Sequence, residues 1–389
     1  MSRLQSLRVF QLDNRIKDLN ISKFTVDDCK MRHVGWDFTL NLIQSTENTN
    51  NRVSFGCLNN FDKLTLSFDF LVRSSENLFQ LHLDGILRLK ELNLDSSSIG
   101  KFKKFYFISN ISESMNALIL SNNKLNQIDS IEFIGVYNLK KLDLSYNNIE
   151  SIENAAFIGI STLEHLNLTG NKLNLTNKIV RFRGISKLKY LILAENRIRN
   201  INNLSFDGIE SLEHLDLGSC EIKLLENEKK SILFHGIPKL KQLILANNPI
   251  VHIGTLAFYG IESLEYLDLS RCQIKSLQNV NLIGMRSLKS LLLNNNPIQN
   301  LENITIKNEE NSLEVLDLSS LGLKNMSSLR FNYFENLRSL QLAGNQLNSL
   351  LIDLNGFEKL ELLNLTNGID SSLDSFDFVL LNPKNSLKN

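Results

Sequence analysis

The feature that most constrains this chain is an apolar frame that returns in one register every 24 or 25 residues through most of its length. The segment Leu139-Lys-Lys-Leu142-Asp-Leu144-Ser-Tyr-Asn147-Asn-Ile149 recurs with its frame intact as Leu188-Lys-Tyr-Leu191-Ile-Leu193-Ala-Glu-Asn196-Arg-Ile198. Further copies start at Met115, Leu163, Leu212, Leu240, Leu264, Leu288, Leu313 and Leu337, with weaker ones at Leu89 and Leu360. Each unit of such an array packs on its neighbours, so the core grows lengthwise and length no longer sets a domain count.

Stacking explains the residue types. Alternating leucines in xxLxLxx point one side chain in two inward from a short strand. Copies stacked in parallel at ~4.8 Å make a continuous sheet. The frame asparagine stands where the chain leaves the sheet and can satisfy backbone groups of adjacent units, which cost ~1–3 kcal/mol each if buried unpaired. Asn123, Asn147, Asn171, Asn196, Asn248, Asn296 and Asn345 fill this ladder, with Cys220 and Cys272 at the same position in two units. A Phe-x-Gly signature precedes six of the frames, at Phe133, Phe157, Phe182, Phe206, Phe234 and Phe258. It predicts a phenylalanine spine behind the sheet and a glycine turn back into it.

These residues resemble the leucine-rich-repeat family, in its 24-residue subclass with a Phe spine. That subclass is common in Toll-like, slit-like and chaoptin-like ectodomains of animals. The resemblance covers residues 89–368 and implies an α/β solenoid, a curved horseshoe with a concave parallel sheet and a mostly irregular convex side. Regular repeats are expected over 89–372, irregular repeats of the same stack over 1–88, and a closing tail over 373–389. In the first region Leu7-Arg-Val-Phe10-Gln-Leu12, Leu64-Thr-Leu66 and Leu81-His-Leu83 are read as degenerate strands.

The family's extracellular members usually carry cysteine-rich caps. Here Cys29 and Cys57 offer one disulfide at most, and Cys220 and Cys272 lie two repeats apart, ~10 Å, beyond the ~7 Å limit for a bridge. Both are expected as buried free thiols. The start of the chain lacks a signal-peptide pattern, which fits an intracellular protein or a mature piece of a secreted one. No stretch has the length and apolarity of a membrane span. Basic and acidic residues balance at 42 each, so no net field draws in nucleic acid.

Chemistry-bearing constellations do not emerge. There is no phosphate-cradling glycine loop, nucleophile elbow or HExxH helix. His165 and His214 fall two repeats apart, too far to share a zinc ion. A non-catalytic chain without cofactor or metal is expected.

Outward strand positions carry the functional information. The column after the first leucine alternates in sign from Lys140 and Glu164 through Lys189, Glu213, Lys241, Glu265, Lys289, Glu314 and Arg338 to Glu361. Opposite charges on adjacent strands stabilise a parallel stack without any ligand. The middle column alternates too, with Asp143, Asn167, Asp216 and Asp268 against Ile192, Ile244 and Leu292. The real unit is therefore a pair of repeats. The column between holds His165, Tyr190, His214, Gln242 and Tyr266, amphipathic side chains suited to a protein contact. His165, Tyr190, Ile192, His214, Asp216, Gln242, Ile244, Tyr266 and Asp268 are the predicted partner-binding residues, on a face of ~800 Å² that matches one side of a standard interface. An insertion at Glu226-Asn-Glu228-Lys-Lys230 reads as a solvated loop.

Glycosylation sequons occur at Asn20, Asn110, Asn167, Asn174, Asn203, Asn303, Asn325 and Asn364, of which Asn167 and Asn364 lie on the sheet face. The leading expectation is an extracellular or cell-surface recognition or adhesion module, or a receptor ectodomain fragment, that binds a protein. An intracellular scaffold in the cytoplasm and the non-catalytic subunit of a secreted enzyme complex are the alternatives.

Overall fold

A computed structural model describes residues 23–26, 37–44, 50–55, 60–70, 78–84, 88–97, 99, 104–108, 114–126, 128, 132–134, 136–152, 156–174, 179–226, 233–275, 285–298, 312–324, 334–347, 349–352, 357–369 and 377–380. The chain forms two compact units. The first comprises residues 1–196 with 204–211, and the second 197–203 with 212–389.

In the first unit the leucine frame gives short parallel strands of one sheet. These are β1 (Asp37–Gln44), β2 (Asn60–Phe70), β3 (Arg88–Asn93), β4 (Ala117–Ile119), β5 (Lys141–Asp143), β6 (His165–Asn167) and β7 (Tyr190–Ile192). Each pairs in parallel with the next. Leu142 faces Leu166 and Leu166 faces Leu191, so the frame itself sets the register. The second unit repeats the scheme with β8 (His214–Asp216), β9 (Gln242–Ile244), β10 (Tyr266–Asp268), β11 (Ser290–Leu292), β12 (Val315–Asp317), β13 (Ser339–Gln341) and β14 (Leu362–Asn364).

Residues 23–134 also build a second parallel sheet of five strands, Lys23–Val26, Asn50–Phe55, Leu78–Asp84, Lys104–Ile108 and Glu132–Ile134. Leu81-His-Leu83 lies in this sheet, whereas Leu64-Thr-Leu66 lies in β2. An alternating apolar triplet predicts a strand without choosing between the two sheets. Leu7–Leu12 falls outside the described residues, as do Cys29 and Cys57 and the insertion at 227–232. Among the described residues beyond 134 the return path is mostly turns, with short parallel ladders such as Val180–Arg181 on Leu204–Ser205 in the first unit, and Leu224–Leu225 on His252–Ile253 and Ser349–Ile352 on Asp377–Leu380 in the second. The one helical turn among the described residues is the 3-10 turn Ile201–Asn203.

From Leu89 to Leu342 each frame leucine is buried to within a few per cent of zero exposure, and the phenylalanines join them, whereas Leu360, Leu363 and Leu365 of the last repeat are half-buried. The Phe157 and Phe182 rings stack at 6.5 Å and those of Phe234 and Phe258 at 6.4 Å. A second buried column, three residues before each frame, holds Val136, Ile160, Ile185 and Ile209 in the first unit. In the second unit it runs Ile237, Ile261, Met285, Phe334 and Phe357, so aromatics replace isoleucine toward its end. Its carbonyls accept the N–H of the first frame residue, as in Leu163 N to Ile160 O at 3.0 Å, which closes the turn back into the sheet.

The asparagine ladder satisfies the backbone where the chain leaves the sheet. Asn147 Nδ2 donates to Leu120 O, Leu144 O and Ser145 O at 2.9, 3.0 and 3.1 Å, and its Oδ1 accepts from Leu125 N at 3.0 Å. Every ladder asparagine is buried. One residue earlier the backbone is left-handed in each frame, from Ser96, Asn122 and Tyr146 to Ser320 and Asn367, with φ between 51° and 59° at the non-glycine residues. That conformation costs about 1 kcal/mol per residue. It aims the N–H at the next repeat, as in Tyr146 N to Thr169 O at 2.7 Å.

At two of the positions where the ladder lacks asparagine, the structure compensates. Cys220 and Leu321 hold the position in their repeats, and each is followed by a second left-handed residue, Glu221 (φ 59°) or Gly322 (φ 77°). This turns an extra N–H toward the next asparagine. Asn248 Oδ1 accepts from both Cys220 N (2.9 Å) and Ile222 N (3.0 Å), and Asn345 Oδ1 from Leu321 N (3.0 Å) and Leu323 N (3.2 Å).

Cys220 and Cys272 are buried free thiols. Burial pushes the Cys272 thiol up to about 11. Because the folded value is the higher one, its contribution to stability is present below the ordinary thiol range and is lost as pH rises toward 11. We expect Cys272 to resist alkylation at pH 8 in the folded protein and to react on unfolding; mass spectrometry of the alkylated peptide checks this.

Candidate protein-binding face

Three columns of side chains leave the sheet outward, and each is best judged by what it does for the stack. The charged column is paired between repeats. In the first unit Lys140 and Lys189 Nζ flank Glu164 at 3.6 and 3.0 Å, and the Lys189 hydrogen bond holds the Glu164 carboxyl below the usual range. In the second unit Lys241 meets Glu213 and Lys289 meets Glu265, both at 2.8 Å. Arg338 lies between Glu314 (3.8 Å) and Glu361 (2.7 Å). Such solvated pairs contribute ~0–1 kcal/mol each, and they occupy the side chains.

The polar half of the middle column also serves the backbone. Asp143 Oδ1 accepts from Ser145 N (3.0 Å) and Ser145 Oγ (2.6 Å). Asn167 does the same for Thr169 at 3.0 and 2.7 Å. Asp216, Asp268 and Asp317 accept from Gly218 N, Ser270 N and Ser319 N at 2.8, 2.8 and 2.9 Å. Short polar side chains thus brace the start of the turn, two residues ahead. From Asn167 to Asp317 they alternate with Ile192, Ile244 and Leu292, so over those repeats every second turn is braced this way. Burial raises the Asp216 carboxyl, outweighing the Gly218 hydrogen bond that lowers it, and Asp268 adds to the rise.

The third column has the fewest structural duties. In the first unit the exposed His165 and Tyr190 rings stack 4.2 Å apart and 4° from parallel, with half-buried Ile192 on the Tyr190 strand. Burial lowers the His165 imidazole, as do Lys141 and Lys189, against an opposing pull from Glu164. In the second unit His214 Nδ1 lies 2.8 Å from Gln242 Oε1. Tyr266, in the same column, hydrogen-bonds the Asp268 carboxylate, and burial together with that carboxylate raises its phenol. The predicted residues thus gather as His165, Tyr190 and Ile192 on one unit, and His214, Asp216, Gln242, Ile244, Tyr266 and Asp268 on the other.

The backbone comparisons and sequence profile agree on what these repeats are. The leucine rich repeat family profile matches residues 113–173, 180–222 and 238–298. These segments are leucine-rich repeats. Among solved structures, a leucine-rich-repeat protein of Leptospira interrogans superposes with a TM-score of 0.56 at 23% identity, over 87% of this chain and 89% of that one. TLR13 in its ssRNA13 complex superposes with a TM-score of 0.53 at 18% identity, over 89% of this chain and 68% of that one. No curated protein matches by sequence. At these identities the solved structures speak for the fold.

Among the described residues of this leucine-rich-repeat protein, no group of three His, Cys, Asp or Glu side chains could hold a metal ion, and no helix is long and apolar enough to cross a membrane. Four sequons lie in the described residues. Asn174 is exposed and Asn203 half-buried. Asn167 holds Thr169, and Asn364 Nδ2 donates to Gln341 Oε1 at 2.8 Å. Asn20, Asn110, Asn303 and Asn325 lie outside the described residues.

Proposed function

We propose that this leucine-rich-repeat protein binds a protein partner through the outer sheet faces of its units, in extracellular recognition or adhesion. The observation that carries the reading is what remains on that face once the stack's own needs are met. Ion pairs take up the charged column and turn contacts the polar middle positions. Tyr190, Ile192, Ile244 and Tyr266 are left half-exposed, neither in the core nor in the ladder. Aromatic and aliphatic side chains of this kind anchor protein interfaces.

TLR13 was solved with ssRNA13. For this chain a protein is the better ligand, because carboxylates rather than lysines line the middle column of the second unit and would repel a phosphate backbone. The double variant Tyr190→Ala, Tyr266→Ala should weaken partner binding at least tenfold while thermal stability changes little. Unchanged affinity sinks the assignment of these residues.

The extracellular part of the reading rests on the Phe-spine repeat class and on the exposed sequon at Asn174. Enzymatic removal of N-linked glycans from protein purified from its native source should lower its intact mass, with Asn174 among the modified sites. No change in mass would favour an intracellular scaffold, the reading that the two buried reduced thiols also suit.

A further inference from the structure

The middle column of the second unit sets carboxylates and aliphatic side chains in strict alternation on five consecutive strands: Asp216, Ile244, Asp268, Leu292 and Asp317. All five are half-buried. Each aspartate uses one oxygen for the turn two residues on, yet among the described residues no lysine or arginine forms an ion pair with any of the three. The nearby lysines and Arg338 are held in the charged column by glutamates. Across the outward positions of β8 to β14 and the turn behind them, seven carboxylates stand against four cations. The cations are Lys241, Lys289, Arg338 and Arg271.

Resting on the protein-binding reading above, we propose that this row docks a basic amphipathic helix of the partner, laid across the strands. The spacing decides between a helix and an extended segment. Adjacent strands lie ~4.8 Å apart, so the row asks for a cation and an apolar group by turns at that interval. One stripe of a helix supplies side chains at i, i+3 or i+4, i+7, i+10 or i+11 and i+14, about 5.3 Å per step. An extended segment presents same-face side chains every ~6.6 Å and loses register within two strands. Over the four steps from Asp216 to Asp317 the helix drifts by ~2 Å, within the reach of a lysine, whereas the strand drifts by ~7 Å. The partner helix carries Lys or Arg at i, i+7 and i+14 over the aspartates, and apolar residues between them over Ile244 and Leu292. His214 and Tyr266, in the neighbouring column, form one wall.

The test is fluorescence anisotropy with the full chain and two labelled alanine-rich helical peptides. One has lysines at i, i+7 and i+14 with leucines at i+4 and i+11; the other has the same composition with that order scrambled. The ordered peptide should bind at least tenfold more tightly than the scrambled one, and more weakly as salt is added. Asp216→Asn, Asp268→Asn and Asp317→Asn keep the turn acceptor and remove the charge. Each should weaken the ordered peptide by roughly threefold, with unchanged melting temperature. Equal binding of both peptides, or no effect of the three substitutions, overturns the helix proposal. That outcome leaves the broader reading to the tyrosine variants, so the two failures are distinguishable.

Discussion

Asn248→Ala should destabilise the second unit by roughly 3–5 kcal/mol, the largest effect expected of a single polar substitution here. Asn248 Nδ2 donates to Leu217 O (2.8 Å), Leu245 O (2.8 Å) and Ala246 O (3.3 Å), and Oδ1 accepts from two amides where most ladder residues serve one. Truncation leaves Cys220 N and Ile222 N buried without partners, each costing about 1–3 kcal/mol, and strips three carbonyls besides. Asn248→Asp is no remedy, since it keeps the acceptor but turns an oxygen toward those carbonyls. Urea unfolding read together with hydrogen exchange at Cys220 and Ile222 checks this. A loss under 1 kcal/mol with both amides still protected would show that water replaces the side chain.

Gly159→Ala should cost about 3 kcal/mol or more, and Gly208→Ala only about 1–2 kcal/mol. Both glycines are left-handed, at φ +94° and +93°. A methyl group at Gly159 would stand 2.3 Å from Phe133 O, backbone that cannot step aside, whereas nothing lies within 4 Å of one at Gly208. The two substitutions share the conformational penalty, so their difference reads the clash alone. Paired thermal melts give that difference, and equal losses would mean that the neighbouring repeat yields.

The leucine frame and the asparagine ladder are legible in the sequence because one backbone task, repeated each turn, selects one residue type each time. Compensation is less visible. Leu321 stands in the ladder like any core leucine, and only the left-handed Gly322 with the second amide on Asn345 shows how the position is served. Phe334 and Phe357 stack at 6.3 Å three residues before their frames, a column in which earlier repeats use isoleucine, so the spine signature passes over them. The second sheet at residues 23–134 is hidden for a related reason: alternation in Leu81-His-Leu83 fixes a strand but not its sheet.

The binding face divides in the same way. Alternating charges in the first column predict the ion pairs that form, since a parallel stack brings like positions together. The alternating middle column reads in sequence as a mark of repeat duplication. The hydrogen bonds from Ser145, Gly218 and Ser270 give it a structural use as well. The His165–Tyr190 stack follows from adjacent positions in one column. What the partner is made of has no signature in any single repeat and emerges only when five strands are set side by side.

The central claim, that the outer sheet face is the binding surface, is tested most directly by site-specific photo-crosslinking. A photoreactive phenylalanine would replace Tyr190 or Tyr266 on the face, and Tyr137 or Tyr259 in the exposed turns that lead back to the sheet. With the native partner present, adducts from positions 190 and 266 and none from 137 and 259 are the predicted result. Adducts from the turn positions alone would place the binding surface elsewhere and contradict the account.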